Sequence, residues 1–353
     1  MTFNDVLEIK NGRNQRAVED SDGRYPIYGS GGIMGYAKDY ICNAETIIIG
    51  RKGSINKPIF VDEPFWNVDT AFGLEAKREV LFPRYLYYFC KHYDFQQLNK
   101  TVTIPSLTKS DLLKIEIKLP CLSDQQAIVH RLQSVEQIIN LHHQQLEKLD
   151  DLIKARFVEL FGDVATSNYK YETRKLGDVA DVGSSHRVFT TEFVDSGIPF
   201  YRGTEIGELA NGIKPTEPYY ISEEHYNRLA KDDTKPQLGD LLMPSICNKG
   251  QVWMVDTNEP FYYKDGRVLC ISPNRAIFDS KYLEYFMRVK TLVEYPKLGS
   301  GSTFAEFKIF LLKDIDVLIP PIELQEQFAD FVKQVDKSKV VVMNISHYCV
   351  KYC

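Results

Sequence analysis

The chain has 353 residues, 44% of them hydrophobic and 12% aromatic, which is enough for two moderate cores and too ordered a composition for a disordered linker. The formal net charge of −5 excludes a uniformly basic nucleic-acid coat, so any DNA contact must come from local basic loops. No apolar run approaches the ~18 residues of a membrane span, and the opening MTFNDVLEIKNG lacks a signal-peptide core, so a soluble cytoplasmic protein is expected, without membrane contact. Seven scattered cysteines with no C-x-x-C pair argue against zinc or a disulfide framework and read as buried or incidental thiols.

In chain order, DVLEI (5–9) opens the first half and YPIYGSGGI (25–33) follows. Next come IIIGRKGSI (47–55), DEPFWNVD (62–69), a short helix over FPRYLYYFC (82–90), and LLKIEIKLP (112–120), whose alternation suits a half-buried strand. The order then repeats as DVADV (178–182), IPFYRGTEI (198–206), MPSICNKGQV (243–252), NEPFYYKD (258–265), DSKYLEYFM (279–287) and LKDIDVLIP (312–320). The offset drifts only from 173 to 200 positions, and the collinear order makes an internal duplication the best reading.

Each copy runs into a helix. Ser123 with Gln126 forms a plausible capping box. Ile128, Leu132, Val135, Ile139, His142, Leu146, Leu149, Ile153 and Leu160 then recur mostly at alternating spacings of four and three, a heptad seam. His142 in that seam suits a hydrogen-bonded packing role better than a ligand role. FGD (161–163) supplies the stop, with Gly162 as C-cap. The second helix carries Leu324, Phe328, Phe331, Val335, Val342, Ile345 and Cys349, and ends in a β-branched run without an FGD. Two such helices would bury their seams against each other as an antiparallel coiled coil. The expected fold is therefore α+β: two similar α/β domains at 1–120 and 164–320, followed by helices at 121–163 and 321–353, with an internal pseudo-twofold.

A search for chemistry finds little. YGSGGIMGY (28–36) fails G-x-G-x-x-G because Met34 stands at the third glycine; it reads as a flexible turn or as a loop that lets DNA approach. There is no Walker A loop and no Asn/Asp-Pro-Pro-aromatic tetrapeptide, and Glu116-Ile117-Lys118 reads as the polar face of a strand rather than a nuclease E-x-K. The seven histidines form no ligand pair, so no catalytic residue and no metal site is proposed.

What stands out is a set of loops with cations, hydroxyls and amides, in corresponding places of the two halves. GRKGSINKPIF (50–60) offers Arg51, Lys52, Ser54 and Lys57. QLNKTVTIPSLTKS (97–110) offers Lys100, Thr101, Thr103 and Lys109. PSICNKGQV (244–252) offers Asn248 and Lys249, and YPKLGSGSTFAEFK (295–308) offers Lys297, Ser300, Ser302, Thr303 and Lys308. Tyr28, Ser30, Arg187 and Arg202 complete the candidate set. Lys and backbone N–H groups suit phosphates, whereas Arg, Asn and Gln can read base edges.

The stretches IPSLTKSDLLKIEIKLPCLSDQQAIVHRL and STFAEFKIFLLKDIDVLIPPIELQEQF, with KARFVELFGD and KLGDVADVGSS, resemble the DNA specificity subunit of type I restriction-modification enzymes over essentially the whole chain. The resemblance implies two target recognition domains, each reading one half of a split site on double-stranded DNA, with the two helices setting the gap. It implies a non-catalytic chain that docks two methylation subunits, which bind S-adenosylmethionine, and through them restriction subunits that use ATP and Mg²⁺. Two departures are visible: the chain begins almost directly on the first repeat, without the YKYETRK that precedes the second, and the last helix is short. A stand-alone nuclease or methyltransferase, and a two-headed DNA-binding scaffold, are the rival readings.

Overall fold

The computed structural model describes residues 1–99, 104–229, 234–298 and 305–351, with helix side chains described up to 343. Two compact units result, one of 1–141 with 346–353 and one of 142–345.

In the first unit, α1 (Phe3–Val6) leads into β1 (Leu7–Asn11); β2 (Tyr25–Gly29) and β3 (Gly32–Ala37) form a hairpin. Then come β4 (Thr46–Gly50), β5 (Ile59–Val61), β6 (Trp66–Asn67), β7 (Ala71–Ala76), α2 (Pro83–His92), α3 (Lys109–Leu112) and the 40-residue α4 (Leu122–Phe161). The sheet β1-β7-β4-β5 packs its apolar face on α1 and α2, and a second sheet runs β3-β2-β6. Ile47, Ile48 and Ile49 are all buried, as a central strand covered on both faces requires.

The second unit continues through β8 (Gly162–Asp163), β9 (Asn168–Tyr169), β10 (Thr173–Lys175), α5 (Leu176–Val179) and β11 (Ala180–Gly183). It goes on through β12 (Phe193–Val194), β13 (Ile198–Tyr201), α6 (Gly203–Ala210), β14 (Tyr219–Ile221), α7 (Glu223–Leu229), β15 (Leu241–Pro244) and β16 (Trp253–Met254). The last elements are β17 (Tyr262–Tyr263), β18 (Val268–Pro273), α8 (Ser280–Glu294), α9 (Ile309–Lys313), β19 (Asp316–Leu318) and α10 (Ile322–Lys351). Its main sheet, β11-β18-β15-β16, repeats the order of the first.

The duplication is visible bond by bond. Phe3 N donates to Ile115 O at 2.9 Å, and Leu176 N to Ile315 O at 2.8 Å. The Tyr85 hydroxyl donates to Lys118 O, and Tyr282 to Leu318 O. Most telling are two fully buried glutamines five positions after the prolines 120 and 320. Gln125 Oε1 accepts from Phe82 N, while its Nε2 donates to Val80 O and Pro120 O. Gln325 Oε1 accepts from Asp279 N, and its Nε2 donates to Ile277 O and Pro320 O. Each side chain satisfies three backbone groups that burial would otherwise leave unpaired, and so ties a long helix to its own domain.

Four expectations change. The helix begins at Leu122, so Ser123 lies inside it, where its hydroxyl meets Cys121 Sγ, and Gln126 is exposed; buried Gln125 acts in place of the capping box. On the seam, Val129 is buried and Ile128 is exposed. Leu132, Val135, Ile139, Leu146 and Leu149 are half-buried, Ile153 is buried, and Phe157 and Phe161 join them. His142 is half-buried, but its Nδ1 has no hydrogen-bond partner among the described residues. Finally, the strand expected at 112–120 is reduced to a bridge between Thr2 and Glu116, because the chain it faces turns into helix α1 at Phe3; its counterpart β19 pairs three residues of β10.

The FGD stop holds. Gly162 has φ of +94°, and a β-carbon there would sit 2.1 Å from Asn168 O, so only glycine fits. Within the second unit, α4 and α10 run antiparallel: Phe157 meets Phe328 with ring centroids 5.3 Å apart, and Lys339 Nζ lies 2.6 Å from Asp150. Phe328, Val335 and Val342 are buried; Phe331 is half-buried beside buried Val332. Among the described residues no helix is long and apolar enough to cross a membrane.

Candidate nucleic-acid interface

The loop after β4 is held by backbone on both sides. Arg51 N and Lys52 N donate to Thr70 O at 2.8 and 3.3 Å, Gly53 N donates to Pro105 O, and Leu107 N donates to Arg51 O at 2.9 Å. Two basic loops that are far apart in sequence thereby become one ledge. Below it, Ile55 is buried, and Asn56 is clamped between the Asp94 carboxylate and Phe95 N. The side chains of Arg51, Lys52 and Lys57 stay exposed, with no carboxylate in ion-pair range among the described residues. The Arg51 guanidinium lies 5.8 Å over the Phe72 ring. A fixed backbone with cations that no carboxylate neutralises is what a polyanion requires.

The hairpin β2–β3 adjoins this ledge. A β-carbon on Gly50 would lie 3.1 Å from Ser30 Cβ, and half-buried Ser54 closes the same corner. Tyr28 is half-buried against Phe65, with centroids 5.4 Å apart, and burial pushes its hydroxyl pKa up. Lys109 donates to Ile9 O at 2.7 Å, so it anchors α3 to β1. Lys100, Thr101, Thr103, Ser300, Ser302 and Thr303 lie outside the described residues.

The second unit repeats the ledge with different side chains. Ser245 N donates to Arg267 O and Phe307 N donates to Ser245 O, the bonds that Arg51 makes in the first unit. Arg51 thus matches Ser245, and Thr70 matches Arg267: the guanidinium has moved to the partner strand. Gly53 and Gly250 take φ of +80° and +67°, which pairs Lys52 with Lys249. Asn248 and Lys249 are exposed.

Most other cations here are already paired. Arg187 meets Asp265 at 3.2 Å, Arg267 meets Glu306 at 2.8 Å, Lys297 meets Glu294 at 3.0 Å, and Lys308 approaches Glu306 at 3.9 Å. Arg202 chelates buried Glu205 and lies 4.5 Å over the Tyr219 ring. Burial pushes the Glu205 carboxyl up, but the bonds from Arg202 outweigh it and hold the group below its ordinary range.

Sequence reading missed Arg267, which lies two residues past the aligned NEPFYYKD (258–265), and it missed Gln125 and Gln325, which the shared proline-to-glutamine spacing signals. Among the described residues no cluster of His, Cys, Asp or Glu could hold a metal.

The chain matches the family described as type I restriction modification DNA specificity domain over residues 1–151 and 168–344. It is 26% identical over 333 residues to a protein of Haemophilus influenzae named as a type I restriction enzyme specificity subunit, covering 92% of this chain and 82% of that one. It is 25% identical over 325 residues to the MjaVIII specificity subunit of Methanocaldococcus jannaschii, covering 85% and 74%. The solved S subunit of a type I restriction-modification system from M. genitalium shares the fold, with a TM-score of 0.59 and 17% identity over 99% of this chain and 92% of that one. A chain from a study of type I complex assembly gives a TM-score of 0.60 at 15% identity, over 99% of this chain and 94% of that one. With two matched domains, each followed by a long helix, the chain belongs to the type I restriction-modification DNA specificity family.

Proposed function

We propose that this chain reads a bipartite, asymmetric DNA site, one half per recognition domain, and docks two methylation subunits, through which restriction subunits join. As a specificity subunit it supplies recognition and no bond-making step. S-adenosylmethionine, ATP and Mg²⁺ belong to the partners in this reading. The domains are taken as 1–120 and 164–320, and the helices 121–163 and 321–353 as the spacer.

One observation carries the reading. The same backbone ledge occurs in both units, with Arg51 and Lys52 on one and Asn248, Lys249 and Arg267 on the other. A repeated frame bearing unlike side chains suits two unlike half-sites. The exposed, carboxylate-free side chains Arg51, Lys52 and Lys57 are the first candidates for contact, joined by Asn248 and Lys249.

The test is to express the chain with its methylation subunit and map the methylated adenines. A split motif with an unspecified gap is expected. Four residues inserted near Gln144 lengthen a helix by about 6 Å and should widen that gap by one or two base pairs, with both half-sites unchanged. Methyl transfer by the isolated chain, or half-sites that change while the gap stays fixed, overturns the reading.

A further inference from the structure

The tip of the β2–β3 hairpin is built in a way the protein's own packing does not explain. Gly32 has φ of +124° and needs to be glycine. Gly31 does not: its φ is not positive, it is exposed, and a β-carbon there would meet nothing within 4 Å. A bare backbone at a site with room for any side chain points to something approaching from outside.

Beside it, Ile33 is 55% and Met34 62% exposed. Adjacent apolar side chains at the start of an edge strand are costly to leave in water unless something covers them. Their neighbourhood says what that is. Met34 Sδ would lie 2.7 Å from a β-carbon on Gly29, Ser30 touches the Gly50 position, and Arg51 and Lys52 follow directly. The tip is thus contiguous with cations that no carboxylate neutralises, so its occupant is a polyanion that also offers an apolar surface.

Resting on the DNA reading above, we propose that residues 31–34 enter the major groove of one half-site and that Ile33 and Met34 read a thymine methyl group there, with Gly31 admitting the close approach. The major groove, about 12 Å wide, admits a two-stranded ribbon, and the apolar feature on its base edges is the C5 methyl of thymine, which the minor groove does not present. Arg51 and Lys52 would then lie at the flanking phosphates.

The test uses the full chain with its methylation subunit and duplexes carrying the mapped motif. Each thymine of both half-sites is replaced singly by uracil, which lacks only that methyl. Wild type should lose about fourfold in affinity, the worth of one buried methyl, at one or two positions confined to one half-site. The Ile33→Ala/Met34→Ala double variant should be insensitive to the same replacements. Gly31→Val should melt at the wild-type temperature yet bind DNA at least about tenfold more weakly. Uracil tolerance at every thymine, sensitivity unchanged in the double variant, or wild-type DNA affinity in Gly31→Val overturns the proposal. So does a Gly31→Val chain that keeps DNA affinity and loses the methylation subunit, which would assign the tip to that protein. If wild type fails to bind the unsubstituted duplex, the DNA reading itself falls first.

Discussion

Strand β3 in the first unit and strand β14 in the second occupy the same place, each antiparallel to the strand that pairs in parallel with β6 or β17. The chain reaches β3 by a tight turn at Ser30 and Gly31, and reaches β14 only after α6 and a further loop. Arg202, at the point of divergence, is folded onto Glu205 and Tyr219, whereas Ser30 lies beside Gly50, which Arg51 and Lys52 follow in the chain. Beneath this difference the frame is the same, down to the three bonds of Gln125 and Gln325. The halves diverge where they present side chains outward and agree where backbone must be satisfied inside. A duplicated reader changes what it reads in this way without losing its fold.

The strongest way to break that comparison is at the glutamines. Gln125→Leu and Gln325→Leu each strand one N–H and two carbonyls, at about 1–3 kcal/mol per buried group. Chemical denaturation should show losses of several kcal/mol, alike in the two variants. A neutral change in either one would dissolve the equivalence of the frames.

Next come the helices. Phe328 is buried among Phe157, Phe161 and Tyr285, so Phe328→Ala should cost about 3–5 kcal/mol. Ile128→Ala, on the exposed side of α4, should stay within about 0.5 kcal/mol. A large loss at Ile128 would restore the seam that apolar spacing alone suggests.

A smaller effect should separate the two ledges. Arg51→Ala with Lys52→Ala should lower the salt slope of DNA binding by about two, near 0.9 for each phosphate no longer neutralised. Arg187→Ala removes a cation already paired with Asp265 and should lower it by less. Equal slopes for the two variants would mean that internal pairing does not govern which cations reach phosphate.

The seam shows why part of this was legible and part was not. The repeat could be read because similar short motifs recur in the same order, with Tyr85/Tyr282 and the prolines 120 and 320 in register. The helix phase near its start could not be read by counting apolar residues, since the buried positions there include Gln125. The match of YPIYGSGGI to IPFYRGTEI holds as far as Tyr28 and Tyr201, which pair with Asn67 and Tyr263, and fails at the next residue. Nothing in a turn-like GSGG predicts that its counterpart is a helix. The cations were visible as residue types; which of them are neutralised depends on carboxylates such as Asp265 and Glu306, which only the fold brings near.

The smallest expected effect concerns how α2 and α8 meet the long helices. In the first unit Tyr88 donates to Glu136 at 2.6 Å, and Lys91 pairs with the same carboxylate at 2.6 Å. In the second, Tyr285 packs on Phe157 and Phe328, Arg288 pairs with Glu284, and Asp336 has only Lys339 at 3.5 Å among the described residues. Partial burial pushes the Glu136 carboxyl up, but the bonds from Lys91 and Tyr88 prevail and hold it below its ordinary range. A carboxyl depressed by folding stabilises fully above its unfolded pKa of about 4.3 and loses that contribution as pH falls through the folded value. The side chains of Lys91 and Glu136 are 44% and 40% exposed, so solvent screening keeps the gain under about 1 kcal/mol. Glu136→Gln should therefore destabilise slightly at pH 7, and the difference from wild type should shrink as the pH is lowered below about 4. Paired denaturant titrations at pH 7 and pH 3 check this. A penalty of the same size at both would show that Glu136 acts through packing and hydrogen bonding alone, and that its charge does nothing to distinguish the first helix contact from the second.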